Sequence, residues 1–487
     1  MNIQEAKEFI KDTVSAYLKK DEFGDYRISV EKQRPIFLVG APGIGKTAIM
    51  SQIANELNIA LVSYSMTHHT RQSALGLPYI REKTYAGENV SVSEYTMSEI
   101  IASVYDVMEE SGVKEGILFL DEINCVSETL YPSMLQFLQY KVFGKHSVPE
   151  GWVIVTAGNP PEFNKAVREF DVVTLDRLKV IDVDADYPAW KKYALEKGVH
   201  GSITGFLESN KDCFYVIETT VSGKSYVTAR GWEDLSDMIK LYEEDNKTVS
   251  AELICQYIRN ERVTKDFMAY YDLYNKYKKQ INVEAVFEAK LKEKEKETMS
   301  KAPVDERLAL VGLLGDVLRG ELKSIVAEYE TITYVRGVVS AALEGDFREI
   351  LGGRIQKLKS EYDVKSRAGS LLQAGKHYYK KTISVLNKLN ELDTSDEVKA
   401  HFNADIAVFK SKVINAQVRS DNLLNEISDV FGGESNEMLL LISELTMDKT
   451  CASFYSNFGS EGYEKYSSIL KISDRAKSLQ TEIEGIL

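Results

Sequence analysis

Proline is scarce in this 487-residue chain and unevenly spread: eight of nine prolines lie at or before Pro188, and only Pro303 follows. Because proline breaks helix interiors, the part beyond Pro188 is expected to be mainly helical. Cysteine is also sparse. Cys125, Cys213, Cys255 and Cys451 lie far apart with no Cys-x-x-Cys pair, which argues against a zinc site or a disulfide framework and fits a reducing cytoplasm. No run of about 18 uninterrupted apolar residues occurs, so no membrane span is expected. Met1 to Lys20 carries charges throughout and lacks the apolar core of a signal peptide. Positive charge is in deficit, with 60 Lys plus Arg against 74 Asp plus Glu and a net charge of -14. That balance disfavours broad adhesion to nucleic acid or anionic lipid, while leaving local basic patches open. A hydrophobic content of 44% is enough for several cores, and the length suggests about three domains.

Glycine, by contrast, is concentrated where it carries information. Gly40-Ala41-Pro42-Gly43-Ile44-Gly45-Lys46-Thr47 follows the apolar run Pro35 to Val39 and precedes a helical stretch beginning at Ala48. Strand, glycine loop and helix in this order form a phosphate-binding P-loop. Its backbone N–H groups turn onto phosphate oxygens, and the helix aims its positive end at the same anion. The cradle therefore runs from Gly40 through Ala41, Pro42, Gly43, Ile44, Gly45, Lys46 and Thr47 to Ala48. Lys46 is expected to reach the β- and γ-phosphates of ATP, and Thr47 to hold Mg²⁺. A glycine-rich turn merely capping a helix is the plainer alternative, which both flanks argue against.

Two further strands end in polar residues. Ile117 to Leu120 closes on Asp121 and Glu122, at the sheet edge where a P-loop opens. Asp121 is expected to bind Mg²⁺, directly or through water, and Glu122 to polarise the attacking water. Val153 to Gly158 closes on Asn159-Pro160, where an amide can contact the γ-phosphate or the water; an ordinary Asn-Pro turn is the competing reading.

Apolar runs at Pro35 to Val39, Ala60 to Ser65, Gly116 to Leu120, Trp152 to Ala157 and Lys179 to Val183 alternate with helical patterns, as a parallel α/β sheet requires. Tyr79 to Thr96, turning near Gly87, and Tyr140 to Trp152, around Gly144, read as inserted hairpins. Tyr187-Pro188 starts a smaller helical domain that Gly198 first interrupts, and an aromatic helix with Phe267, Tyr270, Tyr271, Tyr274 and Tyr277 ends it near Gln280. Lys290 to Glu297 reads as a solvated helix or linker. Beyond Pro303 amphipathic helices follow, with breaks expected at Gly345, Gly352-Gly353, Thr394-Ser395 and Gly432-Gly433. The expected division is 1–187, 188–280 and 281–487. His68-His69 reads as loop polarity rather than a metal site, and Lys376 to Lys381 as a helix face with a solvated lysine edge rather than a nucleic-acid groove.

In this order of P-loop, acidic pair and polar Asn, the chain resembles the AAA+ ATPases, and within them the MoxR-type branch. Leu75-Gly76-Leu77-Pro78, Leu120-Asp121-Glu122-Ile123-Asn124, Gly158-Asn159-Pro160-Pro161-Glu162 and Leu175-Asp176-Arg177 suggest the branch. The likeness covers roughly Glu31 to Tyr242. It implies an α/β AAA+ P-loop NTPase sheet with a small helical lid domain, here followed by a mainly helical C-terminal region of unknown role. It further implies that Arg177 is an arginine finger offered to a neighbouring subunit, that Arg230 is the second sensor on a lid helix, and that Thr228 precedes that helix. Thr228 is independently a natural N-cap. Arg168, in a stretch from Ala166 to Glu169 that looks helical, is a rival for the finger. The branch often has Arg-Ala after the Asn of the acidic strand, whereas Cys125-Val126 stand here.

The resemblance implies a cytoplasmic, ATP- and Mg²⁺-dependent remodelling motor, a homo-oligomeric ring with six subunits as the expected count, and a protein client such as one with a von Willebrand factor A-type domain. A nucleic-acid translocase with local bases such as Lys141 and Lys145 on its hairpins is the runner-up, and a nucleotide-gated binding switch a third reading.

Overall fold

The computed structural model describes residues 1–68, 70–164, 167–220 and 223–469, so His69 and Ala166 lie outside the described residues. The chain divides into two compact units: Met1–Asp186 with Gly353–Ile383, and Tyr187–Gly352 with the residues from Ser384 onward.

The first unit is built on five strands, β1 Ile36–Gly40, β2 Ala60–Ser65, β3 Gly116–Asp121, β4 Trp152–Gly158 and β5 Lys179–Val183. They form one sheet in the order β2-β3-β4-β1-β5, and every neighbouring pair is parallel. This is the parallel α/β sheet expected from the alternating runs. Pairing of Ile36 with Val155 and Gly116 with Trp152 brings the carboxyl ends of β1, β3 and β4 to one edge. Ile117, Leu118, Phe119 and Leu120 of β3 are fully buried, as a strand covered on both faces demands.

Both inserted hairpins form. Pro78–Tyr85 pairs with Glu88–Tyr95 around Ala86-Gly87, and Val142–Phe143 pairs with His146–Ser147 around Gly144. An ionic clamp joins them. Glu94 of the first hairpin is 6% exposed, accepts from Tyr79 Oη at 3.1 Å and meets Lys83 of its own hairpin and Lys145 of the second. Hydrogen bonds from Lys145 and then Lys83 hold the Glu94 carboxyl down at about 2. Lys145 is thereby paired, and Lys141 is only 4% exposed with its ammonium on Gln33 Oε1 at 3.3 Å. Neither offers the free base on a hairpin that the nucleic-acid reading expected.

In the second unit, helices Tyr187–Lys197, Gly201–Ser209, Ala229–Glu244 and Glu261–Gln280 enclose Phe206, Trp232 and Phe267. Gly198 interrupts the first of them at φ 76. A hairpin, Val216–Thr220 with Gly223–Val227, lies among these helices and has no counterpart in the expected pattern. Long helices follow, above all Val304–Leu343 and Ser395–Phe431. Their core is pinned by charge as well as by leucine. Arg319, 4% exposed, donates to Glu444 at 2.6 Å and pairs with Asp316, while Lys191 meets Glu208 at 2.7 Å and Glu444 at 3.1 Å.

Two local expectations are corrected. Gly352-Gly353 does not break a helix but lies inside Phe347–Arg367, where a methyl on either residue would meet nothing within 4 Å. The break falls instead at Ala368 to Leu372, around Gly369 at φ 67. Val167 to Phe170 is irregular rather than helical, because the Arg168 N–H is used by the Asn124 carbonyl at 2.9 Å. Among the described residues, no helix is long and apolar enough to cross a membrane.

Candidate nucleotide site

Gly40 ends β1 against β5: a methyl there would lie 2.6 Å from the Val183 carbonyl oxygen, so the loop can leave the sheet only from glycine. Gly43 and Gly45 then take φ 76 and φ 99, conformations that L side chains resist. Gly45 opens helix Lys46–Leu57 without a side-chain cap. The first N–H groups of that helix therefore have no capping side chain and face the loop, which is the electrostatic arrangement an anion requires.

Lys46 is 7% exposed, and its ammonium donates to Gly40 O at 2.6 Å, Ala41 O at 2.8 Å and Asn159 Oδ1 at 2.9 Å. The P-loop lysine and the polar end of β4 thus meet directly, although 113 residues separate them. Thr47 Oγ1 donates to Asp121 Oδ2 at 2.8 Å. These two oxygens suit Mg²⁺, a hard cation that takes one or two protein oxygens and completes its shell from phosphate and water.

Glu122 leaves β3 in the left-handed region at φ 55, a conformation costing about 1 kcal/mol for a residue with a side chain. Its Oε2 accepts from Ser65 Oγ at 3.2 Å and Thr67 Oγ1 at 3.1 Å. Sequence reasoning missed both hydroxyls. Their only signal was their position at the end of β2, the neighbour of β3. Asn124, also unforeseen as a support, donates from Nδ2 to Asn159 O at 2.9 Å and fills the space beside Gly158, where a methyl would lie 2.4 Å from Asn124 Oδ1. Cys125 does not supply a thiolate here. Burial, then the charges of Glu122 and Asp121, push its thiol up.

Of the two rival arginines, Arg168 pairs with Glu128 and lies over the Tyr131 ring at 5.9 Å. Arg177 is exposed after helix Val172–Leu175 and donates to the neutral Gln139 Oε1. Lys46, Thr47, Asp121, Glu122 and Asn159 are thus gathered at one edge of the sheet, and Arg177 stands outside that group within the same unit. Arg230 belongs to the second unit. Thr228 caps its helix as expected, accepting from Gly231 N at 3.1 Å.

Residues 36–175 match the family described as "ATPase family associated with various cellular activities (AAA)". The chain is also similar to the proteasome-activating nucleotidase of Methanothermobacter thermautotrophicus, 26% identical over 125 residues, which is 26% of this chain and 25% of that protein. The matched stretch thus spans about a quarter of that relative's length. Together with the strand order and the gathered P-loop and acidic residues, the match makes residues 36–175 similar to the ATPase domain of that family.

Proposed function

We propose that this chain binds ATP with Mg²⁺ and hydrolyses it to ADP and phosphate, using the energy to remodel a protein partner. The observation that carries the reading is the convergence of Lys46 on Asn159 and of Thr47 on Asp121, four residues from three separate stretches of sequence. Lys46 exchanges its loop-carbonyl partners for β- and γ-phosphate oxygens, and the backbone of Gly40 to Ala48 cradles the chain of phosphates. Thr47 and Asp121 would hold Mg²⁺, which when bound would supply positive charge against the phosphates. Glu122 accepts the proton of the attacking water, and Asn159 orients that water or the γ-phosphate. The relative's name as a nucleotidase supports the same reaction class.

The finger and the ring follow from the same chemistry. Arg177 is exposed and has a neutral side-chain partner, so it is available to the nucleotide of an adjacent copy, where a guanidinium is worth roughly 10³ to 10⁵ in rate. We take the assembly to be a homo-oligomeric ring, six subunits by resemblance. Residues 188–280 serve as its lid with Arg230 as sensor, and 281–487 form a separate helical region. A cytoplasmic MoxR-like remodelling role, with a client of the von Willebrand factor A type, remains the favoured reading. The exposed Tyr79, Ile80, Tyr85, Val90 and Tyr95 of the first hairpin supply an apolar grip for it.

The test is nucleotide binding and turnover of Glu122→Gln. Retained Mg²⁺-ATP affinity by calorimetry with hydrolysis reduced at least about 100-fold is expected. Unchanged turnover refutes the role of Glu122, and absence of any nucleotide affinity in folded protein refutes the whole reading.

A further inference from the structure

Charge is unevenly spread over the first unit. Gly353–Ile383, the part of that unit contributed from far along the chain, holds eight Lys and Arg against two Asp and Glu. It is net +6 in a chain of net -14, so all other residues together carry -20. Helices Phe347–Arg367 and Gln373–Asn390 supply this stretch. Their connection is fixed to β2, at the edge of the sheet, where Leu61 N donates to Ala368 O at 2.8 Å; beside it Asn55 Nδ2 donates to Ser370 O at 2.9 Å.

In a chain with surplus carboxylate, a base on the surface readily finds a partner. Arg354, Lys359, Lys365, Lys376, Lys380 and Lys381 have none: among the described residues, no carboxylate lies within 4.0 Å of these side chains. Nor do the two acids of the stretch balance them. Glu361 is met by Lys357 at 3.9 Å and accepts from Tyr379 Oη at 3.5 Å. That contact joins the two helices, with the Tyr362 and Tyr379 rings 6.1 Å apart. Lys357 and Lys365 lie one turn either side of Glu361, while Lys376 lies one turn before Tyr379 and Lys380 one turn beyond Lys376. Bases from both helices therefore flank the seam that Glu361 and Tyr379 mark. Lys376 and Lys380 also repel each other along their helix, a cost that an anion seated between them relieves.

We propose that this seam docks an acidic segment of a protein partner, with Asp or Glu carboxylates seated among the bases of the two helices. Other anionic surfaces fit less well. No large apolar side chain between Leu343 and Val408 is exposed among the described residues, so the face lacks what inserts into a lipid surface. Tyr379 is 8% exposed, with its ring beside those of Tyr362 and Tyr378, and it offers no stacking platform to single-stranded nucleic acid. A duplex alongside residues 353–367, about 22 Å of helix, brings about 13 phosphates to at most eight bases. It also runs on toward a protein that is otherwise -20, whereas a short acidic segment ends where the bases end. The docking holds whether or not the chain hydrolyses ATP.

The test uses the full chain and a fluorescein-labelled oligoglutamate of about ten residues, followed by anisotropy. Natural protein is expected to bind it with a Kd of about 100 µM or tighter at about 50 mM salt, and at least about tenfold more weakly at about 300 mM. Arg354→Gln/Lys365→Gln/Lys376→Gln/Lys380→Gln is expected to weaken binding about tenfold at the lower salt. A control, Lys247→Gln/Lys290→Gln/Lys301→Gln/Lys412→Gln, removes the same charge from bases that already hold carboxylates. Its Kd is expected to stay within about twofold of the natural value. Carbodiimide cross-linking of peptide carboxylates to lysine amines is expected to mark Lys365, Lys376 and Lys380 above other lysines. The proposal is overturned if natural protein has no affinity at low salt, if the control weakens binding as much, or if cross-links scatter outside Gly353–Ile383. It is overturned in favour of nucleic acid if duplex DNA of about 20 base pairs binds more tightly than the peptide at equal salt and loses that in the quadruple helix variant. Phosphatidylserine vesicles that behave in this way overturn it in favour of a lipid surface.

Discussion

Lys141 ends helix Tyr131–Tyr140 in the left-handed conformation at φ 55 and carries its ammonium into the interior, onto a neutral acceptor, Gln33 Oε1. Burial pushes its pKa from 10.5 down to about 8. A fall of that size corresponds to about 3 kcal/mol of instability from the buried charge near neutral pH. Lys141→Met keeps most of the side chain's length and removes the charge, but leaves Gln33 Oε1 without that donor, at a cost of about 1 kcal/mol. The variant is therefore expected to be more stable by about 2 kcal/mol near neutral pH. The sign of the pH dependence follows from proton counts. Between about 8 and 10.5 the unfolded chain holds a proton on Lys141 that the folded chain has released, so the stability of the natural protein rises with pH there. Below about 8 the cost is fully present; by about pH 10 most of it has gone, and the advantage of Lys141→Met falls to near zero. Hydrogen exchange of the β4 amides, Trp152–Gly158, reads the opening free energy of the first unit without interference from the second. A variant that is less stable near neutral pH, or whose advantage is the same near pH 10, refutes the account.

Two further outcomes follow from the site and its insertions. Mixing Arg177→Ala with Lys46→Ala subunits is expected to restore about a quarter or less of natural turnover, since some mixed interfaces pair an intact P-loop with an intact finger; failure in properly assembled mixtures counts against a finger acting in trans. Glu94→Gln is expected to loosen both hairpins, seen as several-fold faster tryptic cleavage after Lys83 and Lys145, with nucleotide affinity unchanged. Because the Glu94 carboxyl is held at about 2, the natural clamp keeps its charge at neutral and mildly acidic pH and is lost only as pH falls toward that value. Equal cleavage of variant and natural protein would show that the clamp does not hold the hairpins.

The strands were legible because each buried strand is a short apolar run bounded by turn residues, a signal carried within a handful of neighbours. The P-loop and acidic pair were legible for the same local reason, and the structure brings them together. What escaped depends on contacts between distant residues. Ser65 and Thr67 are ordinary polar residues until β2 is set beside β3, and nothing near Ala368 in sequence indicates that Leu61 will be its partner. The Gly352-Gly353 break failed because glycine weakens a helix by only about 1 kcal/mol per residue, which the surrounding turns of a 21-residue helix absorb. Lys141 misled for a related reason: a lysine in a turn-rich stretch reads as exposed, and only packing against Gln33 reveals that it is not.

The buried charges around Arg319 give the second unit a mechanical property that leucine packing alone would not. Helix Val304–Leu343, 40 residues and about 60 Å long, rests on apolar neighbours that could exchange places if it slid by one turn. Such a slide would carry Arg319 and Asp316 together away from Glu444 and part the buried guanidinium from that carboxylate, in surroundings that cannot solvate it. The charges act as a ratchet pawl with one allowed tooth, so axial force on this helix is transmitted along its length rather than dissipated by slippage.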